Sequence, residues 1–339
     1  MQDAYARRGF CAVSDLLTAD ELRLLRDDSS KLLEALTARG GDLLEEACVL
    51  DPVDSMPEGD AARTNMGAYV PSRRAQHNAA SVEAFHTLLL SKLPAAVVAA
   101  GAESSAFLFN EHHVVKPRGP NTSFSWHTDA AHQLEAVLAL RSAARTAADD
   151  SDTDGENELD AQADYTSVWC ALDDIDETNG TLLLLPRDAP QPSSPWHQPA
   201  DVATKSWLES TGRSHAVAAT VRAGDAIVFS SRLWHCSEPN VSGASRRAFY
   251  AQYAPRVIGA PAAPICLAIP TRPQLALLPP LTPIELVGLP SPESSTQYET
   301  DEAEGSGAAV GAEERADATG DEAEGGDAAA KKRRVRGGT

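Results

Sequence analysis

From Ala106 onward the chain is written in short apolar runs. AFLFNEHHVVKP, YTSVWCALDDI, GTLLLLP, HAVAATVRAGDAIVFSSRLWHCSEPN and RRAFYAQYAP are each rich in β-branched or aromatic residues and bounded by Gly, Pro, Asn or Asp. That composition suits strands whose alternate side chains face opposite ways. Many short strands between turn formers predict a mainly β fold with flanking helices, closed as a jelly roll or barrel. The helices come first in the chain. In LTADELRLLRDDSSKLLEALTARGG, Thr18 and Glu21 have the spacing of a capping box, and Leu22, Leu25, Leu32, Leu33 and Leu36 form an apolar stripe that Gly40-Gly41 ends. A second helix fits SVEAFHTLLLSKLPAAVVAAG, and residues 47–78 between the two read as irregular.

Charge divides the chain further. Its net charge is −20, yet 20 of its 49 Asp and Glu lie within 141–164 and 293–327. Such segments cannot bury a core. The first reads as an acidic surface insertion within a domain at 1–290, and residues 291–339 read as a disordered acidic tail with a basic end. The Asp-x-Asp spacing in the insertion lacks the twelfth-position Glu of an EF-hand loop. What remains is mildly acidic, without the basic face that binding to nucleic acid requires. Five scattered cysteines without C-x-x-C spacing read as reduced thiols. No apolar signal core opens the chain and no stretch of about 20 apolar residues offers a membrane span. The expectation is an intracellular protein without a membrane partner. KKRRVR at 331–336 has the composition of a nuclear import signal, and equally of a solvated basic end, so cytoplasm and nucleus both stay open. Oligomeric state is not written in the sequence.

The chemistry starts at SFSWHTDAAHQ. On a strand, His127 and Asp129 would point to one side and converge as two ligands of a metal must; as solvated loop residues they would mean nothing. A non-haem Fe(II) site that works on O₂ needs two histidines and one carboxylate, with the remaining positions open. The third ligand should come from a distant strand, and GDAIVFSSRLWHCSEPN offers His235 at the strand's end. Eleven residues on, Arg246 opens RRAFYAQY. If the iron carries a 2-oxo acid, its far carboxylate needs a charged fork, which guanidinium provides. Alternation puts Arg246 with Ala248 and Tyr250 on one face and Arg247 on the other. Trp126 faces away from the ligand pair and reads as packing, and His132 is left a structural or substrate-side residue.

His127-x-Asp129, ALDDIDETNGTLLLLP, GDAIVF and the spacing from His235 to Arg246 resemble the phytanoyl-CoA dioxygenase family. YARRGFCAVSDLLTADELRLLR resembles that family's opening strand and helix. The likeness runs from Tyr5 to Pro255, leaving out the acidic insertion and the tail. It implies a double-stranded β-helix (a jelly roll, cupin-like), with Fe(II) as metal and 2-oxoglutarate and O₂ as co-substrates. It implies His127, Asp129 and His235 as iron ligands and Arg246 as the 2-oxoglutarate anchor. Ser237 matches a hydroxyl position near the same carboxylate, although a turn-capping serine would look the same. Asn110 and Lys116 share a face with His112 and Val114 and resemble positions near 2-oxoglutarate; a core Asn and a snorkelling Lys remain equal readings. The expected reaction is hydroxylation of a small molecule with release of succinate and CO₂. A catalytically inactive binding module on the same fold is the alternative, which an intact ligand set disfavours. A halogenase is disfavoured by Asp129, and an iron-independent cupin-like enzyme by Arg246. Thr181-Leu182 and PRDAP depart from the family's Pro-Leu and Pro-Gly-Ser-His, so the substrate does not transfer.

Overall fold

The computed structural model describes residues 1–38, 48–50, 79–102, 107–131, 165–196, 200–257, 259–260, 263–264 and 268–289. The expectations for Gly40-Gly41, His132, the insertion at 141–164 and the tail from 291 lie outside these residues. The described chain begins with α1 (Gln2–Arg8), β1 (Phe10–Ser14), α2 (Ala19–Ala38) and β2 (Cys48–Leu50). Then come α3 (Ala79–Thr87), a π-helical turn (Leu88–Lys92), α4 (Leu93–Ala99), β3 (Phe107–Lys116), β4 (Phe124–His127), β5 (Thr166–Ala171) and β6 (Leu182–Leu184). After α5 (Val202–Trp207) the chain is mostly strand: β7 (Val217–Ala218), β8 (Ala226–Ser230), β9 (His235–Ser237) and β10 (Arg246–Ala254). The short strands β11 (Gly259–Ala260), β12 (Ala263–Pro264), β13 (Ile269–Pro270) and β14 (Thr282–Ile284) complete it.

A large sheet runs β13-β3-β10-β5-β8-β1-β14, with β2 also paired to β3, and a small one runs β4-β9-β6-β7. From β3 to β10 the chain passes back and forth between these sheets. That winding is the expected jelly roll. Among the described residues every strand pairing is antiparallel.

Period-two alternation divides the large sheet into two apolar faces. Cys11, Val13, Val168, Cys170, Val228, Phe249 and Ala251 pack with Leu25 of α2 and with Leu88, Leu93 and Val97 around α4. The opposite face carries Phe10, Ala12, Trp169, Ile227, Phe229 and Tyr250, packed on Leu182 and Leu184 of the small sheet. The far side of the small sheet is covered in turn, with Trp126 joining Leu183, Leu185, Leu208 and Trp234. Trp126 is therefore packing, as its position before His127 predicts.

The capping box forms as read. Glu21 N–H donates to Thr18 Oγ1 (3.2 Å) while the Glu21 carboxylate accepts from Thr18 N–H (2.7 Å). Glu21 also holds the buried Lys92 ammonium at 2.6 Å. Two expectations need correction. Residues 47–78 are not wholly irregular, because Cys48–Leu50 finds a partner in the edge of β3. The second helix starts two residues earlier and is interrupted by the π turn. The helical stretch Ala80–Ala99 has the length and composition of a membrane span, but its most apolar 18-residue window is 67% buried within the protein. Its leucines and valines are spent on the large sheet.

Phe249, fully buried at the centre of the helix-covered face, should be among the costliest residues to truncate. Phe249→Ala is expected to lose about 3–5 kcal/mol, read as a lowered denaturation midpoint with an unchanged slope.

Candidate metal and co-substrate site

Between the two sheets lies a cleft of about 230 Å³ that His127, Asp129, His235, Lys116, Ser237 and Arg246 all line. His127 closes β4, and His127 and His235 are direct partners across the β4–β9 pairing. Their ring centroids are 4.2 Å apart. Asp129 Oδ1 lies 3.7 Å from His127 Nε2 and 3.5 Å from His235 Nε2. One ligand atom from each residue fits within 4.8 Å of the others. The sequence reading brought these residues together correctly but by a faulty route. Asp129 is not on His127's strand: β4 stops at His127, and residues 129–131 are helical. Convergence comes from that change of backbone direction and not from alternation. Likewise His235 does not end the strand that follows Gly224-Asp225. The chain turns at 231–233, where Leu233 N–H donates to Ser230 C=O at 3.0 Å, and His235 opens the next strand in the other sheet.

Hydrogen bonds fix the tautomers of both histidines. His127 Nδ1 is 2.7 Å from the Ser125 carbonyl and His235 Nδ1 is 2.9 Å from the Leu233 carbonyl. A carbonyl only accepts, so each Nδ1 carries the proton and each Nε2 presents a lone pair. Burial, and next the neighbouring His235, push the His127 pKa down to about 4. Its ring is neutral at pH 7. For Asp129, burial alone would raise the pKa, but His235, His127, the Tyr250 hydrogen bond and His112 together hold it below the ordinary carboxylate range. Two imidazoles whose Nε2 atoms face a carboxylate held below its ordinary range are the donor set for a divalent first-row metal, and the residues present fit Fe(II).

The other end of the cleft is cationic. Lys116 on β3 and Arg246 on β10 are direct cross-strand partners, and both are buried, at 0% and 2% exposure. Like charges facing each other across a ladder repel. Lys116 Nζ donates to Ser237 Oγ and to the Glu238 carbonyl, each at 2.6 Å. Arg246 donates to the Gly180 carbonyl and stacks 5.4 Å from the Trp169 ring centroid, while its buried Nε has no hydrogen-bond partner among the described residues. Burial, then Arg246, lowers the Lys116 pKa to about 7, and burial lowers that of Arg246 to about 10. Two cations and a hydroxyl around an unused donor are the complement of a carboxylate. 2-Oxoglutarate fits this end. Arg247, by contrast, turns outward onto Asp173, with Nε and a terminal N–H donating at 2.9 and 2.7 Å. The face assignment of the two arginines is as alternation predicts.

Asn110 also lines the cleft but does not contact the cations. Its Nδ2 donates to Gln252 Oε1 at 3.0 Å. Sequence reasoning missed Gln252, Tyr250 and Ser167, whose donors reach Asp129 Oδ2 at 3.1, 2.9 and 3.3 Å. The signal for two of them was present. Tyr250 and Gln252 stand four and six residues after Arg246 on one strand, and so share its face.

Among curated proteins, none is similar in sequence to this chain. Several solved structures resemble it at low identity. AviO1 from Streptomyces viridochromogenes Tue57 is 19% identical, with 78% of this chain and 95% of that one covered and a TM-score of 0.44. EvdO2 from Micromonospora carbonacea var. aurantiaca, complexed with 2-oxoglutarate, is 18% identical, with 79% and 92% covered and a TM-score of 0.43. SnoK, a non-heme alpha ketoglutarate dependent carbocyclase from nogalamycin biosynthesis, is 16% identical, with 84% and 95% covered and a TM-score of 0.43. Likenesses this distant carry no argument about residues or substrate. The sequence profile described as phytanoyl-CoA dioxygenase (PhyH) matches residues 5–248, most of the chain, a span that includes the seven site residues expected from the sequence and ends before Tyr250 and Gln252. The chain belongs to the phytanoyl-CoA dioxygenase family, non-haem oxygenases that use Fe(II), 2-oxoglutarate and O₂.

Proposed function

We propose that this oxygenase hydroxylates a small molecule, releasing succinate and CO₂, with His127, Asp129 and His235 as iron ligands and Arg246, Lys116 and Ser237 as the 2-oxoglutarate anchor. The observation that carries the reading is the pairing, in one cleft, of a two-histidine, one-carboxylate cluster with two buried cations whose hydrogen bonds, among the described residues, go to neutral oxygens. When bound, Fe(II) supplies O₂ activation at the expense of 2-oxoglutarate. The protein's part is orientation and exclusion of water. The Nε2 lone pairs and Asp129 Oδ1 are aimed before any ion arrives. Arg246 and Lys116 fix the distal carboxylate, while the Trp169 and Leu182 side chains make apolar wall. Asn110, placed in the same group by resemblance, acts at one remove through Gln252. The alternative of an inactive binding module loses ground because no member of the ligand and anchor set is missing.

Three expectations follow from these assignments. His127→Ala, Asp129→Ala and His235→Ala should each lower iron content and substrate-independent 2-oxoglutarate turnover, since two side chains hold a labile divalent ion weakly. Full iron occupancy in any one variant would remove that residue from the set. Arg246→Ala should weaken 2-oxoglutarate binding by at least about 2 kcal/mol, the cost of losing a buried charged partner. Arg247→Ala, whose partner is Asp173, should leave it near wild type; the reverse pattern would sink the assignment.

The third concerns pH. Free Lys116 loses its proton near pH 7, and only the protonated form attracts a carboxylate, so docking of the dianion raises its pKa and takes up a proton. Below pH 7 the ammonium is already present and affinity is flat. Above it, each binding event must first protonate the lysine. KM for 2-oxoglutarate should therefore climb between about pH 7 and pH 9, by up to about tenfold per unit. Lys116→Met should flatten that rise, and a profile identical to wild type would place the titrating group elsewhere.

A further inference from the structure

The two oxygens of Asp129 face different sheets. Oδ1 is turned to the two histidines of the small sheet. Oδ2 is held from the large sheet, by Tyr250 Oη (2.9 Å) and Gln252 Nε2 (3.1 Å) on β10 and Ser167 Oγ (3.3 Å) on β5. The histidines are braced by carbonyls two residues away in their own segments. The carboxylate is hydrogen-bonded from across the sandwich.

The brace has a fixed polarity. A carboxylate only accepts, so the nitrogen of Gln252 faces Asp129 and its Oε1 faces away. That oxygen accepts from Asn110 Nδ2 at 3.0 Å, which keeps the amide from flipping. Asn110 on β3 and Ser167 on β5 are the two register partners of Gln252, so three adjacent strands deliver this row at one level. Tyr250 sits one step along β10 opposite His112, and their rings stack at 4.9 Å and 11°.

We propose that Gln252, with Tyr250, is a positioning residue for the metal. By occupying Oδ2 from the opposite sheet, it commits Oδ1 alone to the ion. The carboxylate then binds through one oxygen, and the coordination position that a second oxygen would take stays open for co-substrate. Without the brace, rotation about the Cβ–Cγ bond would let both oxygens turn to the metal. The inference rests on the metal-site reading above and adds to it a role for residues that touch no ion.

Cobalt(II) tests both without turnover. Metal-free wild type, Gln252→Leu, Gln252→Glu and Tyr250→Phe are titrated with Co(II), following the visible d–d absorption, with circular dichroism as the check on folding. Gln252→Glu keeps the side chain's shape and removes the amide donor; Tyr250→Phe removes one oxygen. Affinity is expected to fall 10–100-fold in the Gln252 variants and Tyr250→Phe, as is usual when a partner of a metal ligand is lost. The d–d band is expected to change shape as the carboxylate becomes bidentate, a signature that general loosening would not produce. Wild-type affinity and an unaltered band in the folded variants would overturn the proposal. If Gln252→Leu does not fold, the two near-isosteric variants decide. A wild type that binds no Co(II) would instead overturn the metal site, a failure of a different kind.

Discussion

Strand β10 is buried on both faces, and the register of that one strand decides whether the molecule has a site at all. Phe249, Ala251 and Tyr253 go to the helix-covered core, and Arg246, Tyr250 and Gln252 go to the cleft. A slip of one residue would exchange the two sets. It would drive guanidinium and amide groups into the leucines around α4 and put phenylalanine where a carboxylate must be held. Neighbours on both sides resist the slip: β10 is in register with β3 along nearly its whole length and with β5 from Ala248 to Tyr253. Tyr253 adds a pin on the core side, its hydroxyl donating to the Leu89 carbonyl at 2.8 Å. That bond satisfies a carbonyl within the π turn, so the irregular helix and the strand that carries the site are fixed together.

The cleft pays for its chemistry in stability. Arg246 and Lys116 are desolvated side by side, and the bonds they make are to neutral oxygens. A buried cation without a counter-ion costs several kcal/mol even after relaxation. Such an arrangement persists where the missing charge is brought by a ligand, because ligand binding then stabilises the folded state by mass action. The metal end shows the opposite economy: Asp129 is fully provided with donors on one oxygen, and both Nδ1 groups are bonded. One half of the cleft is built complete; under the proposed assignment the other is completed by the co-substrate.

Much of this was legible in the sequence because strands obey a simple period. The helix cap at Thr18, the burial of Trp126, the cleft face of Asn110, His112 and Lys116 and the opposed arginines all follow from alternation or spacing. The failures share a cause. Asp129 and His235 lie just beyond points where the backbone changes direction, and periodicity ends at a turn. The structure places both beside His127, but the local geometry inferred for them was wrong. β2 was missed because three residues carry no period; what makes them a strand is the free edge of β3, a tertiary fact. Ser167 was invisible for a related reason. Nothing in YTSVWCALDDI distinguishes its hydroxyl from an ordinary strand serine until Gln252 is set beside it.

Gly180 shows how a single small residue can serve both cations. Its φ is +90°, in the left-handed region that costs other residues about 1–2 kcal/mol. Space is the stricter limit. A Cβ there would stand 2.8 Å from Lys116 Cδ and 2.9 Å from the Glu238 carbonyl oxygen, itself a hydrogen-bond acceptor for Lys116. The carbonyl of the same glycine accepts from Arg246. Any side chain at this position must therefore displace the lysine stem or the carbonyl that orients its ammonium, while tilting the peptide that holds the guanidinium. Asn179-Gly180 thus does more than turn the chain between β5 and β6. The backbone at that turn is the third wall of the anion pocket, and its shape is what lets two like charges share it.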